Sequence, residues 1–587
     1  MSPETLRAFD EAGAQVVLTA FEHYRERFRG ITSRAKRHFE TRDGQAAQRD
    51  SARRLDVYGE CVGEALHQLR ERLGALADDR DLWCAMRDRF GRLIAERPDR
   101  ELAETFFNSC ARRTFHTVGV DPALEFVSLR LNVPPGALPA DLTVSYPREK
   151  HLATLIEHVL QQHAFDAPWD DLEGDARRVA AAIVAEANVR RIRSIEIAKP
   201  VFYRGLGAYL VGRIHTNRAA MPLVLAFRNP HGRIVVDAVL TSVDEVSIVF
   251  SFARAYFMVM HDHPRELVDY LRLLMPRKPI AELYAAIGHH RHGKTELYRS
   301  LLHHMAAHDE RFAIAPGTRG MVMCVFHLPG FDVVFKIIRD RFDPPKTVTH
   351  DEVRAKYRLV FRHDRAGRLA DAQEFEHLSF PVDRFEPELL EMLLRLAGET
   401  VRVDGDMVIL RHLYTERRLR PLDLYLREAD PAAARRAVVD YGQALRDLAA
   451  TNIFPGDMLL KNFGVSRHGR LIFYDYDELA TLTECHFREL PAAASDGDDT
   501  AGEPWYYVGE RDIFPEEFRT FLGLRGETLD AFLTHHAELL GVRWWHRMQA
   551  LHARGEVLDI VPYQASRRLR RGAADPDAGL DPPASQE

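Results

Sequence analysis

The sequence is poor in cysteine and contains no long apolar run. Its five cysteines among 587 residues are scattered and form no Cys-x-x-Cys pair. That distribution argues against a disulfide framework or a zinc site and favours a reducing compartment. No apolar run approaches the roughly 18 to 20 residues that a membrane span needs. The first residues carry Glu4, Arg7 and Asp10, so no signal peptide is predicted. We therefore expect a soluble, cytoplasmic protein without a membrane partner.

A strong excess of charge is also missing. The formal net charge is -7, from 80 Lys and Arg against 87 Asp and Glu, and gives no reason to expect a nucleic-acid partner. Hydrophobic residues make up 46% of the 587 positions. A chain of this length is too long for a single core, so two or more domains are predicted.

The N-terminal half has mainly helical periodicity. From Thr5 to Asn108, apolar residues recur at three- and four-residue spacing among charged ones. A second helical stretch covers 149–196, and further helices are predicted from Val246 to about His308. Between them, Pro222–Asp237 contains two apolar runs around Asn-Pro-His-Gly, which predicts a β-hairpin. We expect residues 1–310 to form a mainly helical domain with a small β-hairpin.

The pattern changes after Arg311, where short apolar strands appear. Val322–Phe326 and Val333–Ile338 predict two strands, and Pro431–Thr451 predicts a long helix. The segment 571–587 is rich in Ala, Asp and Pro and is predicted to be a disordered tail.

Two features of the first strands suit a nucleotide site. Ala315–Met321 contains two glycines just before a strand, and a tight glycine turn lets backbone N–H groups approach phosphate oxygens. Lys336 then lies inside the apolar strand Val333–Ile338. A lysine in this setting is either solvated on an edge strand or a buried cation with an anionic partner. Its spacing after the glycine turn matches the phosphate-binding lysine of protein kinases.

The strongest signal lies in the segment that follows the long helix. Asp457 and Asn462 are five positions apart, the spacing of the kinase catalytic loop, in which the Asp takes the acceptor proton and the Asn holds Mg²⁺. The apolar strand Leu471–Tyr474 then ends in Asp475, where a kinase-like fold presents its second metal ligand. Oxygen ligands of this kind are those that Mg²⁺ prefers. These residues predict ATP- and Mg²⁺-dependent phosphoryl transfer.

A second motif competes with this interpretation. Gly288–Thr295 matches the P-loop pattern G-x-x-x-x-G-K-T. A P-loop requires a buried strand before it and a helix after it, but Pro279–Ile287 has the composition of a helix. We therefore favour a helix–helix turn, with Lys294 outside any nucleotide site, and treat the histidines as part of a solvated basic loop: His289, His290 and His292.

Several long strings of the sequence resemble bacterial isocitrate dehydrogenase kinase/phosphatase. They include Ala103–Ser109, Ala315–Met323, Pro329–Ile338, Asn452–Val465 and Phe473–Glu478. The resemblance implies a bifunctional enzyme that phosphorylates a serine of isocitrate dehydrogenase, diverting carbon into the glyoxylate bypass, and also removes that phosphate. It implies ATP and Mg²⁺ as cofactors, ADP or AMP as possible effectors, and an α+β fold. That fold has a mostly helical regulatory domain followed by a two-lobed protein-kinase-like domain at 311–570.

The resemblance also assigns roles to individual residues. ATP binding falls to Ala315, Pro316, Gly317, Thr318, Arg319, Gly320, Met321 and Lys336. Catalysis falls to Asp371, Asp457 and Asp477, and Mg²⁺ binding falls to Asn462 and Asp475.

The sequence departs from ordinary protein kinases. It has no G-x-G-x-x-G, His-Arg-Asp is replaced by Pro455-Gly456-Asp457, and Asp-Phe-Gly is replaced by Asp475-Tyr476-Asp477. A catalytically silent regulatory or binding protein on the same scaffold therefore stays open, and a P-loop ATPase is a more distant alternative. Retention of Lys336, Asp457, Asn462 and Asp475 together argues against a silent protein.

Overall fold

A computed structural model of the chain describes residues 3–127, 141–163, 165–186, 192–251, 256–344, 346, 348–363, 365–491, 507–509 and 511–569. The predicted disordered tail at 571–587 lies outside these residues. No helix within the described ranges is both long enough and apolar enough to cross a membrane.

The N-terminal half begins with a helical bundle, as its periodicity predicts. The helices are α1 (Pro3–Ser33), α2 (Ala35–Thr41), α3 (Gly44–Leu73), α4 (Arg80–Leu93) and α5 (Arg100–Phe115). Side-chain caps define two of the starts: Asp43 accepts from the Ala46 N–H and Asp79 accepts from the Leu82 N–H, both at 2.8 Å. Aromatic rings fill the space between the helices, with Tyr24 edge-on to Tyr58 at 5.2 Å.

A sheet follows the bundle. Its strands are β1 (Thr143–Pro147), β2 (Ile192–Ala198), β3 (Phe202–Arg204), β4 (Gly207–Thr216), β5 (Ala220–Arg228) and β6 (Val235–Leu240), with helices α6 (Leu152–Gln162) and α7 (Leu172–Glu186) between β1 and β2. The order is β1-β2-β4-β5-β6, β3 pairs with β4, and every pairing is antiparallel.

The predicted hairpin is the pair β5–β6, but the prediction of a small hairpin was wrong in extent, because the hairpin is one end of a six-stranded sheet. Strand β4 gives a weak strand signal since it contains Gly212. That glycine is required by close packing: a Cβ there would lie 2.2 Å from the Glu196 carbonyl oxygen of β2.

Helices complete this half, and they contain the P-loop-like motif. They are α8 (Val243–Val249), α9 (Pro264–Leu274), α10 (Ile280–Ala286) and α11 (His290–Ala307). The motif therefore joins two helices, as predicted, and Gly288 makes the turn with φ +97°. No buried strand precedes it, so the phosphate-binding geometry of a P-loop is absent from this described segment.

The prediction of a solvated histidine loop was wrong. His289, His290 and His292 are only 3%, 7% and 2% exposed, because α1, α3 and α5 cover them. The Phe28 ring stacks on His289 at 4.9 Å, and Thr105 Oγ1 lies 2.7 Å from His292 Nδ1. Burial lowers the pKa of His289 and of His292 well below the ordinary value.

The C-terminal half has two lobes. The first lobe contains β7 (Ala313–Ile314), β8 (Met323–His327), β9 (Val333–Ile338), α12 (His350–His363), β10 (Gln373–Pro381), α13 (Pro387–Leu396), β11 (Val401–Asp404) and β12 (Met407–Arg417). Its antiparallel sheet has the order β10-β12-β9-β8-β7, with β11 beside β12. The strands predicted at 322–326 and 333–338 are β8 and β9.

The second lobe is mainly helical. Its elements are β13 (Arg420–Pro421), α14 (Leu422–Glu428), α15 (Pro431–Ala450), β14 (Ile453–Phe454), β15 (Phe463–Val465), β16 (Leu471–Phe473), β17 (Ala480–Thr481), β18 (His486–Phe487), β19 (Asp512–Ile513), α16 (Phe518–Phe521), α17 (Glu527–His536) and α18 (Val542–Ala553). Helix α15 lies at the centre of this lobe, since most of its length is buried. The α+β class and the succession of a helical half and a kinase-like half are confirmed.

The two halves pack against each other through polar contacts. Arg417 at the end of β12 lies 2.6 Å from Glu282 of α10, and the Gly119 N–H donates to the His377 carbonyl at 2.7 Å. A cavity of about 210 Å³ lies between them, lined by α10 on one side and by Glu416 and Asp371 on the other.

Candidate active site

The glycine turn is the loop of a β-hairpin. Residues 315–321 connect β7 to β8, and the loop is closed at its base by the Ala315 N–H, which donates to the Val325 carbonyl at 3.1 Å. Residues 316–320 are exposed, and Gly317 has φ +117°, a conformation that favours glycine. The loop therefore presents backbone N–H groups to solvent at the edge of the first lobe.

Lys336 is the buried cation of the first lobe. It lies on β9, is 7% exposed, and its Nζ is 2.8 Å from Glu416 Oε2 and 2.8 Å from the Tyr474 carbonyl, to which it donates. Glu416 lies on the neighbouring strand β12 and is 2% exposed. Burial raises the pKa of Glu416, while Lys336 opposes that shift. Lys336 is therefore a buried cation with an anionic partner and not a solvated residue of an edge strand.

The source of this carboxylate differs from that in protein kinases. There, the lysine pairs with a glutamate of the helix that follows its strand. Here that helix is α12, and it supplies Tyr357, whose hydroxyl donates to Glu416 Oε1 at 3.2 Å. The Tyr357 ring also stacks on Tyr414 with centroids 3.8 Å apart. Helix α12 is therefore connected to the lysine through a tyrosine and a strand carboxylate.

Asp457 and Asn462 share one tight loop after β14. The Asp457 carboxylate accepts from the Leu459 N–H at 3.0 Å, and Asn462 Nδ2 donates to the Asp457 carbonyl at 3.2 Å. Gly456 has φ +77°, and a Cβ there would lie 2.4 Å from the Glu478 carbonyl. This glycine allows the loop to approach the segment that carries Asp475 and Asp477.

The strand after this loop brings a pair of carboxyl groups to the same place. Phe463 of β15 pairs with Phe473 of β16, and the Tyr474 N–H donates to the Asn462 carbonyl at 3.1 Å. Asp475 follows directly and is hydrogen-bonded to Asp477. Tyr474 therefore connects three site residues. Its carbonyl accepts from Lys336, its N–H donates to the Asn462 carbonyl, and Asp475 follows it in the chain.

The pKa values of the two aspartates are shifted in opposite directions. Burial and the neighbouring Asp477 raise the pKa of Asp475 well above its ordinary value. Burial works in the same direction on Asp477, but its hydrogen bond with Asp475 and its ion pair with Lys346 lower its pKa overall. Lys346 Nζ lies 2.9 Å from Asp477 Oδ2 and 2.5 Å from Glu478 Oε1. The pKa of Asp475 is therefore shifted upwards and that of Asp477 downwards.

The donor set fits a hard divalent cation. Two hydrogen-bonded carboxyl groups in a buried setting are a place where added positive charge is favourable. Asn462 uses its amide nitrogen on the Asp457 carbonyl, so its amide oxygen is the atom left for a ligand. Oxygens of Asn462 and Asp475 are the type that Mg²⁺ prefers.

Asp371 lies near the ion pair of Lys336 and Glu416. It is not on a helix but in the segment between α12 and β10, where the Ala370 N–H donates to the Phe473 carbonyl at 3.0 Å. Gln373 Nε2 donates to Asp371 Oδ2 at 3.2 Å, and the charge of Asp371 contributes to the raised pKa of Glu416. Asp371 thus lies near Glu416 and lines the cavity between the two halves.

Sequence reasoning missed three site residues. Glu416 is the partner of Lys336, Tyr357 holds Glu416, and Lys346 holds Asp477. Glu416 gave at most a weak signal, because strand β12 also contains Arg411, His412 and Arg417, although a buried carboxylate requires a cation. Tyr357 and Lys346 carried no comparable signal, since a helix tyrosine and a loop lysine are common on protein surfaces.

Two family models together cover most of the chain. The regulatory domain of isocitrate dehydrogenase kinase/phosphatase (AceK) matches residues 14–309, and the kinase domain of the same family matches residues 310–565.

Curated relatives match over nearly their full length. The isocitrate dehydrogenase kinase/phosphatase of Anaeromyxobacter sp. (strain Fw109-5) is 50% identical over 568 residues, 96% of this chain and 98% of its own. The enzyme of Anaeromyxobacter dehalogenans (strain 2CP-C) is 49% identical, over 96% of this chain and 98% of its own length. That of Xanthomonas euvesicatoria pv. vesicatoria (strain 85-10) is 43% identical over 95% and 97%.

Proposed function

The chain belongs to the isocitrate dehydrogenase kinase/phosphatase family, and on that premise we propose how its site works. It is a bifunctional enzyme: a protein serine kinase and a phosphoprotein phosphatase whose substrate is isocitrate dehydrogenase. The observation that carries the proposal is the convergence of Lys336, Asp457, Asn462 and Asp475 at one place. A catalytically silent protein has no reason to retain that set.

Binding of ATP is assigned to the first lobe and to the segment that connects it to the second lobe. Residues 315–321 supply backbone N–H groups for phosphate oxygens, and Lys336 supplies a fixed positive charge. The segment after Arg417, where β12 ends and β13 begins, is placed like the kinase hinge that receives adenine.

Magnesium is assigned to Asn462 and Asp475. When bound there, it would neutralise charge on the transferring phosphoryl group. Asp457, which is partly exposed beside these ligands, accepts the proton of the substrate serine hydroxyl as it attacks.

Removal of phosphate needs a water molecule oriented by a carboxylate. Asp477 is held by Lys346, and Asp371 lies near Glu416. We assign these two aspartates to the hydrolytic direction, in which one of them holds the water and accepts its proton. One nucleotide site then serves both directions.

The cellular role follows from the substrate. Phosphorylation switches isocitrate dehydrogenase off and directs carbon from the tricarboxylic acid cycle into the glyoxylate bypass, so we place the enzyme in the cytoplasm with its substrate. ADP and AMP are candidate effectors.

The test is a two-stage labelling experiment. The purified chain is incubated with isocitrate dehydrogenase, Mg²⁺ and γ-labelled ATP, and the label on isocitrate dehydrogenase is measured. An excess of unlabelled nucleotide is then added and released phosphate is followed. We expect incorporation on a serine, then release. No incorporation would refute the kinase assignment, and stable incorporation would refute the phosphatase assignment.

A further inference from the structure

A mixed group of metal-ligand side chains lies between α1 and α3, within the helical bundle of the N-terminal half. His23 comes from α1, and Cys61 and Glu64 come from α3, where they are three positions apart. One ligand atom of each side chain lies within 4.8 Å of the other two. Among the residues that the structure describes, no other three His, Cys, Asp or Glu side chains meet this closely.

The packing of the two helices fixes this arrangement. Tyr24, next to His23, is edge-on to Tyr58, with ring centroids 5.2 Å apart. Tyr58 precedes Cys61 by one helical turn, so this aromatic contact holds the two sides of the group opposite each other. Cys61 is fully buried, whereas the side chains of His23 and Glu64 are 51% and 46% exposed. An ion from solvent therefore reaches the group between its two exposed members.

The distances suit a four-coordinate metal ion. Zn²⁺ binds sulfur at about 2.3 Å and nitrogen or carboxylate oxygen at about 2.0–2.2 Å, so two of its ligand atoms lie about 3.3–3.7 Å apart. His23 Nδ1 and Glu64 Oε2 are 3.6 Å apart and already meet this requirement. Small rotations of the side chains close the remaining distances, and water takes the fourth position.

A guanidinium group already lies at this place. Arg27 Nη1 is 3.6 Å from Cys61 Sγ and 3.4 Å from Glu64 Oε1, so positive charge is accommodated beside two of the three ligand residues. Burial raises the pKa of the Cys61 thiol, and the charge of Arg27 opposes that shift. Arg27 Nη2 also donates to Glu60 Oε2 at 2.5 Å. Arg27 therefore keeps an anionic partner when it leaves Cys61 and Glu64.

We propose that His23, Cys61 and Glu64 form a Zn²⁺ site in which the ion takes the place of the Arg27 guanidinium. Cys61 binds as the thiolate, and its proton passes to solvent as the metal–sulfur bond forms. A thiolate and an imidazole select Zn²⁺ over Mg²⁺, which prefers oxygen ligands. Scattered cysteines argue against a site of paired cysteines, whereas this one needs a single cysteine and a ligand from a second helix. The ion joins α1 to α3 and stabilises the bundle, independently of phosphoryl transfer.

The test is titration of the full chain with Co²⁺ as a spectroscopic probe, under nitrogen and without added thiols, followed by Zn²⁺ as the competitor. A bond between cobalt and a thiolate gives a charge-transfer band in the near ultraviolet, which Co²⁺ at the oxygen ligands of the Mg²⁺ site does not give. We expect a band that saturates and then disappears on addition of Zn²⁺, which binds such ligands more tightly than Co²⁺ does.

Variants separate this group from the other thiols and histidines. Cys61→Ser should lose the band, and His23→Gln should weaken Co²⁺ binding by at least about 10–100-fold, the cost of losing an outer-shell partner. The matched controls are Cys84→Ser on α4 and His67→Gln on α3, which should bind as the wild type does. Arg27→Gln removes the competing charge and should bind Co²⁺ more tightly, by about fivefold or more.

The proposal is overturned if no charge-transfer band appears, if the band survives in Cys61→Ser, or if His67→Gln loses as much affinity as His23→Gln. It is also overturned if Arg27→Gln binds Co²⁺ no more tightly than the wild type. Because Arg27→Gln is expected to gain affinity, a failure to fold cannot imitate the predicted result. Zn²⁺ should in addition raise the midpoint of thermal unfolding of the wild type but not that of Cys61→Ser.

Discussion

Two segments of this chain look like phosphate sites, and only one has the surroundings for it. Gly288–Thr295 fits the P-loop pattern in every position, yet it joins two helices, and its histidines are buried under α1, α3 and α5. Ala315–Met321 fits no strict pattern, yet it is the exposed loop of a β-hairpin that leads to Lys336.

The two lysines differ in the same way. Lys336 has Glu416 at 2.8 Å and lies beside the segment of Asn462 and Asp475. Lys294 Nζ lies 4.8 Å from the Phe375 ring centroid, and burial lowers its pKa to about 7. Burial thus disfavours the charged form of Lys294, whereas Lys336 is paired with a carboxylate, so the two lysines differ in their surroundings.

The largest effect is expected from Asp457→Asn, which keeps the shape of the catalytic loop and removes its base. The rate of phosphorylation should fall by about 10²–10⁴-fold, the usual contribution of a general base. Phosphorylation of isocitrate dehydrogenase is measured at saturating ATP. The control is Asp404→Asn, an exposed aspartate of β11. A decrease smaller than about tenfold would remove Asp457 from the role of base.

Lys336→Met should abolish tight ATP binding and also destabilise the fold. It leaves Glu416 buried without its cation, which costs about 3–5 kcal/mol. The double variant Lys336→Met/Glu416→Gln removes both charges and should recover most of the stability but none of the ATP affinity. Thermal melting and ATP titration separate the two effects. Recovery of ATP binding in the double variant would show that Lys336 acts only on stability.

Lys336 and Asp457 could be predicted from the sequence, whereas Glu416 could not. Lys336 and Asp457 stand in local patterns, a strand with one cation and a loop with fixed spacing. Glu416 is 80 positions from Lys336 and meets it only because β12 pairs with β9. The burial of His289 likewise depends on Phe28, a residue of another helix. Local periodicity defines elements and loops, while pairs formed across elements require the tertiary fold.

The third prediction concerns acid stability of the P-loop-like segment. The pKa of His289 is lowered by burial, so below about pH 6.5 the unfolded chain takes up a proton that the folded chain does not. Stability is therefore lost as the pH falls, by about 1.4 kcal/mol per pH unit for this group. The midpoint of thermal unfolding, measured by calorimetry, should fall less between pH 6.5 and pH 5 in His289→Asn than in the wild type. In His67→Asn, at an exposed site, it should fall as in the wild type. Equal pH dependence in wild type and His289→Asn would contradict the buried neutral state.

The smallest effect is expected from Lys294→Ala. Its side chain contacts Phe375 and lies outside the nucleotide site proposed above, so the dissociation constant for ATP should change by less than about twofold, well under the tenfold that corresponds to 1.4 kcal/mol. ATP titration beside Lys336→Met makes the comparison direct. Loss of ATP binding in this variant alone would return the P-loop to consideration.

One measurement tests the location of the nucleotide site most directly: photocrosslinking with an ATP analogue that carries an azide on adenine, followed by mass spectrometry of the labelled peptides. If ATP binds as proposed, label is expected in the connection between β12 and α14, at 417–422, and in the loop at 315–321, with protection by excess ATP. Label in 288–295 that ATP prevents, with none in those two segments, would contradict it.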